Sequence, residues 1–181
     1  MSKRPEARAD TLAPGLERGR RLYLCDDPQR VRAQLSGAVY SRAEAGPLRH
    51  DISTDEITPL ACMVHFDATL GRHAHTGFTA GGERPIGRDA LLQAGVQVLV
   101  GGRRYGKGSS REHSPMAELS AGVRLVVAES FERIYRQNAD NLGLLTSTDF
   151  GLLDRLEAGE ALTWDDVLRE RDPQAEVGAG Q

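Results

Sequence analysis

A continuous apolar run at residues 96–100 leads into a glycine-rich loop and then into a helical pattern. The apolar run predicts a buried strand. Met116, Ala117 and Leu119 predict the helix, and Gly122 predicts its end. A glycine-rich turn between a strand and a helix presents unpaired backbone N–H groups, and the helix dipole adds partial positive charge there. The segment therefore predicts a strand–loop–helix unit with an anion site at the start of the helix.

The loop at residues 105–115, YGKGSSREHSP, combines glycines with two hydroxyls and a guanidinium. Phosphates or carboxylates are the anions that such a loop would bind. Residues 101–107 fit the opening G-x-x-x-x-G-K of a nucleotide-binding phosphate loop. That motif continues with Ser or Thr, whose hydroxyl binds magnesium, but Gly108 stands there instead. A solvated basic turn without a ligand is the simplest alternative.

Residues 106–113, GKGSSREH, resemble the signature of the swivelling domain of the aconitase superfamily. The likeness is greatest to the separate small subunits of isopropylmalate isomerase and homoaconitase. Residues 52–59, ISTDEITP, resemble the Thr-Asp turn of that family, and residues 130–145 resemble its next helix and the strand that follows. The three blocks occur in the expected order and span about half of the chain.

The resemblance implies a subunit of an iron–sulfur-dependent hydro-lyase that dehydrates and rehydrates a substituted malate, such as 3-isopropylmalate. Ser109 matches the family's catalytic base, and Asp55 matches the aspartate that helps to handle the proton. Glu112 and His113 would support the site without touching the substrate. The residues expected to bind the substrate are Ser110, Arg111, Lys107 and Gly108.

A serine is a poor base unless its ionised form is stabilised. The helix N-terminus, Arg111 and Lys107 would supply that stabilisation at Ser109, and a guanidinium also suits a carboxylate ligand. A structural alternative competes with this role, because Ser109 and Glu112 have the spacing of a capping box. Ser109 would then only cap the helix.

The chain has two cysteines, Cys25 and Cys62, whereas the family's 4Fe-4S cluster is held by three. The resemblance therefore implies that a separate large subunit carries the cluster and that this chain binds no metal. Cys25 ends an apolar run and is expected to be a buried structural thiol. A zinc site at His65, His73 and His75 is a weaker alternative, because no cysteine or carboxylate lies at convincing spacing.

Some residues depart from the family pattern. Lys107 stands between two glycines, where isopropylmalate isomerases commonly have cysteine and aconitases have glutamate. Aconitases place a second arginine about twelve residues after the aspartate; Asp67 occupies that position here, and Arg72 is the nearby candidate. Homoaconitase, aconitase and dialkylmalate dehydratase small subunits are therefore alternatives. A phosphate-loop nucleotide-binding protein and a non-catalytic regulatory subunit are alternatives of another class.

Net charge and hydropathy exclude other classes. A formal net charge of −3 and a pI near 6.0 do not fit a nucleic-acid-binding protein, which usually has a strongly basic face. No apolar run approaches the length of a membrane span. Residues 1–20 lack the apolar stretch of a signal peptide, so we expect a flexible arm and a cytoplasmic protein. Residues 21–171 would form one domain, and residues 172–181 a disordered tail.

Strands and helices alternate along the predicted domain. Apolar runs predict strands at 21–25, 96–100 and 123–128, and helical patterns occur after Asp27-Pro28, at 87–95, at 150–156 and from Thr163. Residues 61–85 have weak periodicity and are expected to form strand fragments and a mobile loop. The alternation predicts an α/β fold of the aconitase swivelling type, with a mostly parallel sheet flanked by helices.

Overall fold

A computed structural model describes residues 20–62, 68–108, 112–160 and 162–171. The predicted arm at 1–20 and tail at 172–181 lie outside these residues, except that Arg20 already belongs to the first strand. The strands are β1 (Arg20–Tyr23), β2 (Val96–Gly101), β3 (Leu125–Ala128) and β4 (Leu145–Ser147). The α-helices are α1 (Pro28–Leu35), α2 (Arg42–Ala45), α3 (Thr54–Ile57), α4 (Ala90–Ala94), α5 (His113–Ser120), α6 (Arg133–Leu142), α7 (Gly151–Glu157) and α8 (Trp164–Arg171).

The four strands form one parallel sheet in the order β1-β2-β3-β4. Val98 pairs with Leu125, and Leu125 pairs in turn with Leu145. Helices connect successive strands, as parallel pairing requires. The predicted α/β class with a parallel sheet is therefore confirmed.

Both faces of the sheet are covered by side chains. Leu99 and Val126 belong to one buried cluster, whereas Val98 and Val127 belong to the other. Burial on both faces explains why β3 is a continuous apolar run and why β2 is interrupted only by Gln97. Because the four strands run parallel, their carboxyl ends lie along one edge of the sheet, where loops can carry a site.

Local capping signals agree with α1 but not with α5. The Asp27 carboxylate accepts a hydrogen bond from the N–H of Gln29 at 2.9 Å, and Pro28 occupies the first helical position, which agrees with the helical pattern predicted after Asp27-Pro28. The N-cap position of α5 is Glu112, without a side-chain cap hydrogen bond. The capping-box interpretation places the cap at Ser109, so it does not describe the start of α5.

The segment 61–85 differs from its prediction. Its described part contains two 3-10 turns, Leu60–Cys62 and Ala68–His73, and one isolated bridge between Ala80 and Glu83, where strand fragments were predicted. Gly71 explains the compact path, because a side chain there would run into the backbone of Ser120 at the end of α5. None of the described helices has the length and apolar character needed to span a membrane.

Candidate active site at the carboxyl ends of the strands

The glycine loop after β2 is hydrogen-bonded to the Thr-Asp turn. The carbonyl oxygen of Ile52 accepts from the N–H groups of Gly106 at 2.8 Å and Lys107 at 3.2 Å. The N–H of Thr54 donates in return to the Lys107 carbonyl at 2.8 Å. Two segments that are more than forty residues apart in sequence are thus paired like short parallel strands.

The third block of the sequence reaches the same loop from the other side. The Tyr105 N–H donates to the Ser130 carbonyl at 3.0 Å, and the Glu132 N–H donates to the Tyr105 carbonyl at 3.0 Å. The Ser130 hydroxyl accepts from the Arg104 N–H at 2.8 Å. All three blocks that carry the family resemblance therefore meet beyond the end of β2.

Two positions in this loop require glycine. Gly106 has φ +85°, and a Cβ atom there would lie 2.8 Å from Cδ2 of Tyr135 and closer still to Cγ. Gly108 has φ +117°, and a Cβ atom there would lie 3.1 Å from Oγ1 of Thr54. Left-handed backbone is costly for other residues, so both sterics and conformation fix the loop sequence.

Helix α3 is a single turn that presents Asp55. Ser53 and Glu56 form a capping box, in which the Glu56 N–H donates to Ser53 Oγ at 3.1 Å and the Ser53 N–H donates to Glu56 Oε2 at 2.9 Å. Arg49 holds the same carboxylate with an Nη2–Oε2 hydrogen bond of 3.0 Å, and Thr79 donates to it as well. The turn that carries the exposed Asp55 is therefore fixed from two sides.

A pocket of about 320 Å³ adjoins this turn. Arg84 directly follows Glu83, which forms an isolated bridge with Ala80. Its side chain is exposed and lines the pocket. The pocket is thus lined by both acidic residues of α3 and by an arginine. Its lining residues are Asp55, Glu56, Pro59, Gly77, Thr79 and Arg84.

The structure brings together part of the predicted site. Lys107 and Gly108 are exposed and lie against α3, the helix of Asp55. Glu112 is exposed at the start of α5, and the half-buried His113 is its first residue. The remaining predicted residues, Ser109, Ser110 and Arg111, lie outside the described residues.

Arg72 is engaged elsewhere. Its Nε and Nη2 donate to the two carboxylate oxygens of Asp89 at 2.8 and 3.1 Å. These hydrogen bonds hold the pKa of Asp89 below its usual value. Arg72 does not line the pocket beside Asp55, so Arg84 is the arginine that the structure offers there. Asp67 lies outside the described residues.

The histidines of the zinc alternative have different surroundings. His65 lies outside the described residues, and His73 ends a 3-10 turn. His75 is fully buried, with Nε2 3.0 Å from the Tyr105 hydroxyl oxygen. Over residues 20–62, 68–108, 112–160 and 162–171, no group of three His, Cys, Asp or Glu side chains is arranged to hold a metal ion.

Comparison with known proteins identifies the family of this chain. The 3-isopropylmalate dehydratase small subunit of Desulfovibrio desulfuricans is 35% identical over 125 residues, which cover 68% of this chain and 72% of that protein. This chain belongs to the 3-isopropylmalate dehydratase small-subunit family. A model of the aconitase C-terminal domain also matches residues 91–148. That range contains the glycine loop, α5 and α6.

Other members of this family are similarly related. The small subunits of Oleidesulfovibrio alaskensis and Pyrobaculum aerophilum are each 39% identical over 115 residues, and the chain covers 65% and 66% of their lengths. The chain thus spans about two thirds of the length of these relatives. A solved structure of 3-isopropylmalate dehydratase from Methanocaldococcus jannaschii is 33% identical, with a TM-score of 0.44 over 54% of this chain and 55% of that chain.

The sequence analysis gave no role to several residues that lie in or near the candidate site. Glu118, Tyr135 and Arg84 received no role from the sequence, although Glu118 interrupts an otherwise apolar stretch of α5. A charged residue in such a stretch is a signal, because buried carboxylates need partners. The partners of Glu118 could not be read from the sequence, because they come from distant segments.

Proposed function

We propose that this chain is the small subunit of an iron–sulfur-dependent hydro-lyase that dehydrates and rehydrates a substituted malate. The observation that supports this most strongly is the meeting of the three family blocks around the glycine loop. Backbone hydrogen bonds accepted by Ile52 and donated by Thr54 and Tyr105 join segments that each resemble the family. Membership of the 3-isopropylmalate dehydratase small-subunit family agrees with the same activity.

In this proposal Ser109 is the base that removes a proton from the carbon next to a substrate carboxylate. Hydroxide leaves from the neighbouring carbon, and water later adds back to the resulting double bond in the other orientation. Asp55 helps to handle the transferred proton. The described geometry supports this pairing, because Lys107 and Gly108, which precede Ser109, lie against the helix of Asp55.

The remaining groups bind carboxylates. Arg111 would form a bidentate pair with a substrate carboxylate, and Ser110 and the loop N–H groups would donate to it. Lys107 adds a second positive charge at the loop. Arg84 would meet another anionic group of a substrate, a role that is supported by its position in the lining of the pocket beside Asp55.

The iron–sulfur cluster is proposed to belong to a large partner subunit. The relatives are called small subunits, and the two cysteines of this chain are fewer than the family's cluster requires. The chemistry attributed to such a cluster is Lewis-acid assistance to the departing hydroxyl. This chain's own residues bind the substrate and move the proton.

A 3-isopropylmalate-like compound is the proposed substrate class, because all the relatives described above carry that name. The two positive groups Lys107 and Arg84 would also suit a malate with a further anionic substituent. The phosphate-loop alternative has no support from these relatives. A cytoplasmic location stays a prediction.

The base assignment is tested with Ser109→Ala in a mixture with the cognate large subunit. Turnover is expected to fall by at least about 100-fold, because loss of general-base catalysis typically costs 10²–10⁴ in rate. Ser36→Ala is the matched control: Ser36 is exposed just after α1 and lies outside the site. Size-exclusion chromatography checks that both variants still assemble.

Near-normal turnover of the assembled Ser109→Ala variant would refute the base assignment. Stable assembly of the wild-type chain without any gain in turnover would favour the regulatory alternative. Stabilisation of the chain by magnesium and ATP would favour the nucleotide-binding alternative.

A further inference from the structure

A buried carboxylate lies behind the glycine loop. Glu118, in the second turn of α5, has no exposed surface. The Tyr135 hydroxyl donates to its Oε1 at 2.9 Å, and the Tyr105 hydroxyl donates to Oε2 at 3.0 Å. Nε2 of His75 lies 3.7 Å from Oε2, and in the described part of the chain no lysine or arginine is paired with Glu118. We call these four residues the Glu118 cluster.

The hydrogen bonds of the cluster fix where its protons lie. Burial, and next the negative charge of Glu118, raise the pKa of Tyr105 and of Tyr135 well above the ordinary value. Both hydroxyls therefore stay protonated and donate to the carboxylate. Because Tyr105 gives its one proton to Glu118, its oxygen is free to accept from His75 in the tautomer that carries hydrogen on Nε2, which lies 3.0 Å away.

The cluster joins four separate segments of the chain. Glu118 belongs to α5, Tyr135 belongs to α6, and Tyr105 is the first residue of the glycine loop. His75 comes from the segment after the 3-10 turn at Ala68–His73. A buried carboxylate is costly without hydrogen-bond donors, so each segment must keep its place for the cluster to remain satisfied.

The two tyrosines that bind Glu118 also set the position of the glycine loop. Their rings meet edge to face with centroids 5.3 Å apart. The backbone of Gly106 lies directly against the Tyr135 ring, and its N–H reaches the Ile52 carbonyl at 2.8 Å. A rotation of either ring would therefore move Gly106 and, through Ile52, the turn that carries Asp55.

We propose that Glu118 is a positioning residue for the active site, which it serves by holding Tyr105 and Tyr135 beneath the glycine loop. Glu118 bonds to neither Asp55 nor Lys107, so its effect is indirect. The inference rests on the proposed function, because the loop that it positions is the proposed substrate site. Proton abstraction depends on placement to within about 1 Å, so the chemical step is expected to be more sensitive than substrate binding.

Glu118→Gln is the direct test in the complex with the large subunit. The amide has nearly the shape of the carboxylate, but only one of its two heavy atoms accepts hydrogen bonds. One of the two tyrosine hydroxyls can therefore no longer donate to residue 118 and must turn its buried proton away. We expect kcat to fall by about 100-fold, as for a displacement of about 1 Å, with a much smaller change in KM.

Gln34→Met is the matched control for lost stability. Gln34 is also buried and polar, and its side chain accepts from the Tyr23 N–H at 2.8 Å and donates to the Tyr23 carbonyl at 3.1 Å. Its loss removes the acceptor of the Tyr23 N–H and, among the described residues, leaves the Tyr23 carbonyl with only the Cys25 N–H as a donor. The control is expected to lower Tm and to leave kcat at the wild-type value.

Amide hydrogen exchange of the whole 181-residue chain gives a readout that does not depend on activity. In Glu118→Gln, the Gly106 and Lys107 amides are expected to exchange at least about tenfold faster, since a weakened local structure opens more often. The amides of Ala80 and Glu83, which bond each other's carbonyls at 2.9 Å, serve as the internal reference. Gln34→Met should leave all four unchanged.

If Glu118→Gln fails to fold, Tyr135→Phe removes one hydroxyl but keeps the ring beneath Gly106, and kcat and exchange should change in the same direction. Values of kcat and of loop exchange equal to those of Gln34→Met would overturn the proposal. Absence of turnover in the wild-type complex would instead refute the proposed function, while the exchange experiment would still decide whether Glu118 holds the loop.

Discussion

Gly106→Ala should damage both the stability and the activity of this protein. The new methyl group would lie 2.8 Å from Cδ2 of Tyr135 and closer to Cγ, whereas carbon atoms pack at about 3.5–4.0 Å. The ring or the loop would therefore have to move by about 1 Å. The backbone at φ +85° adds a conformational penalty, because an alanine resists left-handed geometry.

The two costs can be estimated separately. Left-handed backbone costs a non-glycine residue about 1–2 kcal/mol, and an extra methyl group in a packed site costs about 1–3 kcal/mol. Together they lower the free energy of unfolding by about 2–5 kcal/mol, which corresponds to a fall in Tm of about 4–20 °C for a domain of this size. Displacement of the loop by about 1 Å should also lower kcat by about 100-fold.

Two control variants separate these terms in urea unfolding experiments. Gly82 has φ +79°, but no atom lies within 4 Å of the position that an alanine methyl group would take, so Gly82→Ala should show only the backbone penalty. Gly87→Ala has open space without a left-handed backbone and should change stability by less than about 0.5 kcal/mol. Equal losses for Gly106→Ala and Gly82→Ala, with normal turnover of both, would refute the close packing of Gly106 on Tyr135.

Two other predictions concern arginines. Arg84→Ala should raise KM by about tenfold or more, since a hydrogen bond to a charged group contributes about 1.5–3 kcal/mol. Arg88 is also exposed but does not line the pocket, so Arg88→Ala should leave KM unchanged. Equal KM values for the two variants would show that Arg84 does not bind the substrate. Arg72→Gln should lower Tm slightly at pH 7, and this difference should disappear only as the pH falls from about 4 through the lowered pKa of folded Asp89. The reason is that the lowered pKa of Asp89 stabilises the folded state only while Asp89 is ionised; a Tm difference that persists in acid would contradict this.

The strands and their parallel arrangement could be predicted because their signals are local. The run at 96–100 became β2 with one added residue, and 123–128 contains β3. The predicted strand at 21–25 was shifted, because Cys25 leaves the sheet and forms a bridge with Leu48. Cys25 is buried, as predicted, and this burial raises the pKa of its thiol.

The long-range polar contacts could not be predicted. The Glu118 carboxylate accepts hydrogen bonds from Tyr105 and Tyr135. The sequence separation between Glu118 and either tyrosine is too large for a contact within one helix or strand. His75 was considered only as a metal ligand, although its ring is buried against Tyr105. Such contacts depend on how helices pack over the sheet, and hydrophobic periodicity alone does not specify the relative placement of distant side chains.

The location of the candidate site was predicted better than its details. The glycine loop and the turn of Asp55 were expected to act together because both resemble one family, and the Lys107–Thr54 hydrogen bond shows that they are adjacent. The sequence offered Arg72 as the second arginine, but its pairing with Asp89 follows from the fold. Arg84 was missed because an isolated arginine after a glycine pair has no motif.

We propose that this chain supplies one side of an active site that a cluster-bearing large subunit completes. The most direct measurement is a titration of the chain into a fixed amount of that subunit while the unsaturated acid formed from 3-isopropylmalate is followed. We expect neither polypeptide to convert the substrate alone. The rate should rise as this chain is added and reach a plateau at a fixed molar ratio of the two polypeptides. A rate that does not respond to the added chain, although the two polypeptides bind each other, would contradict the claim.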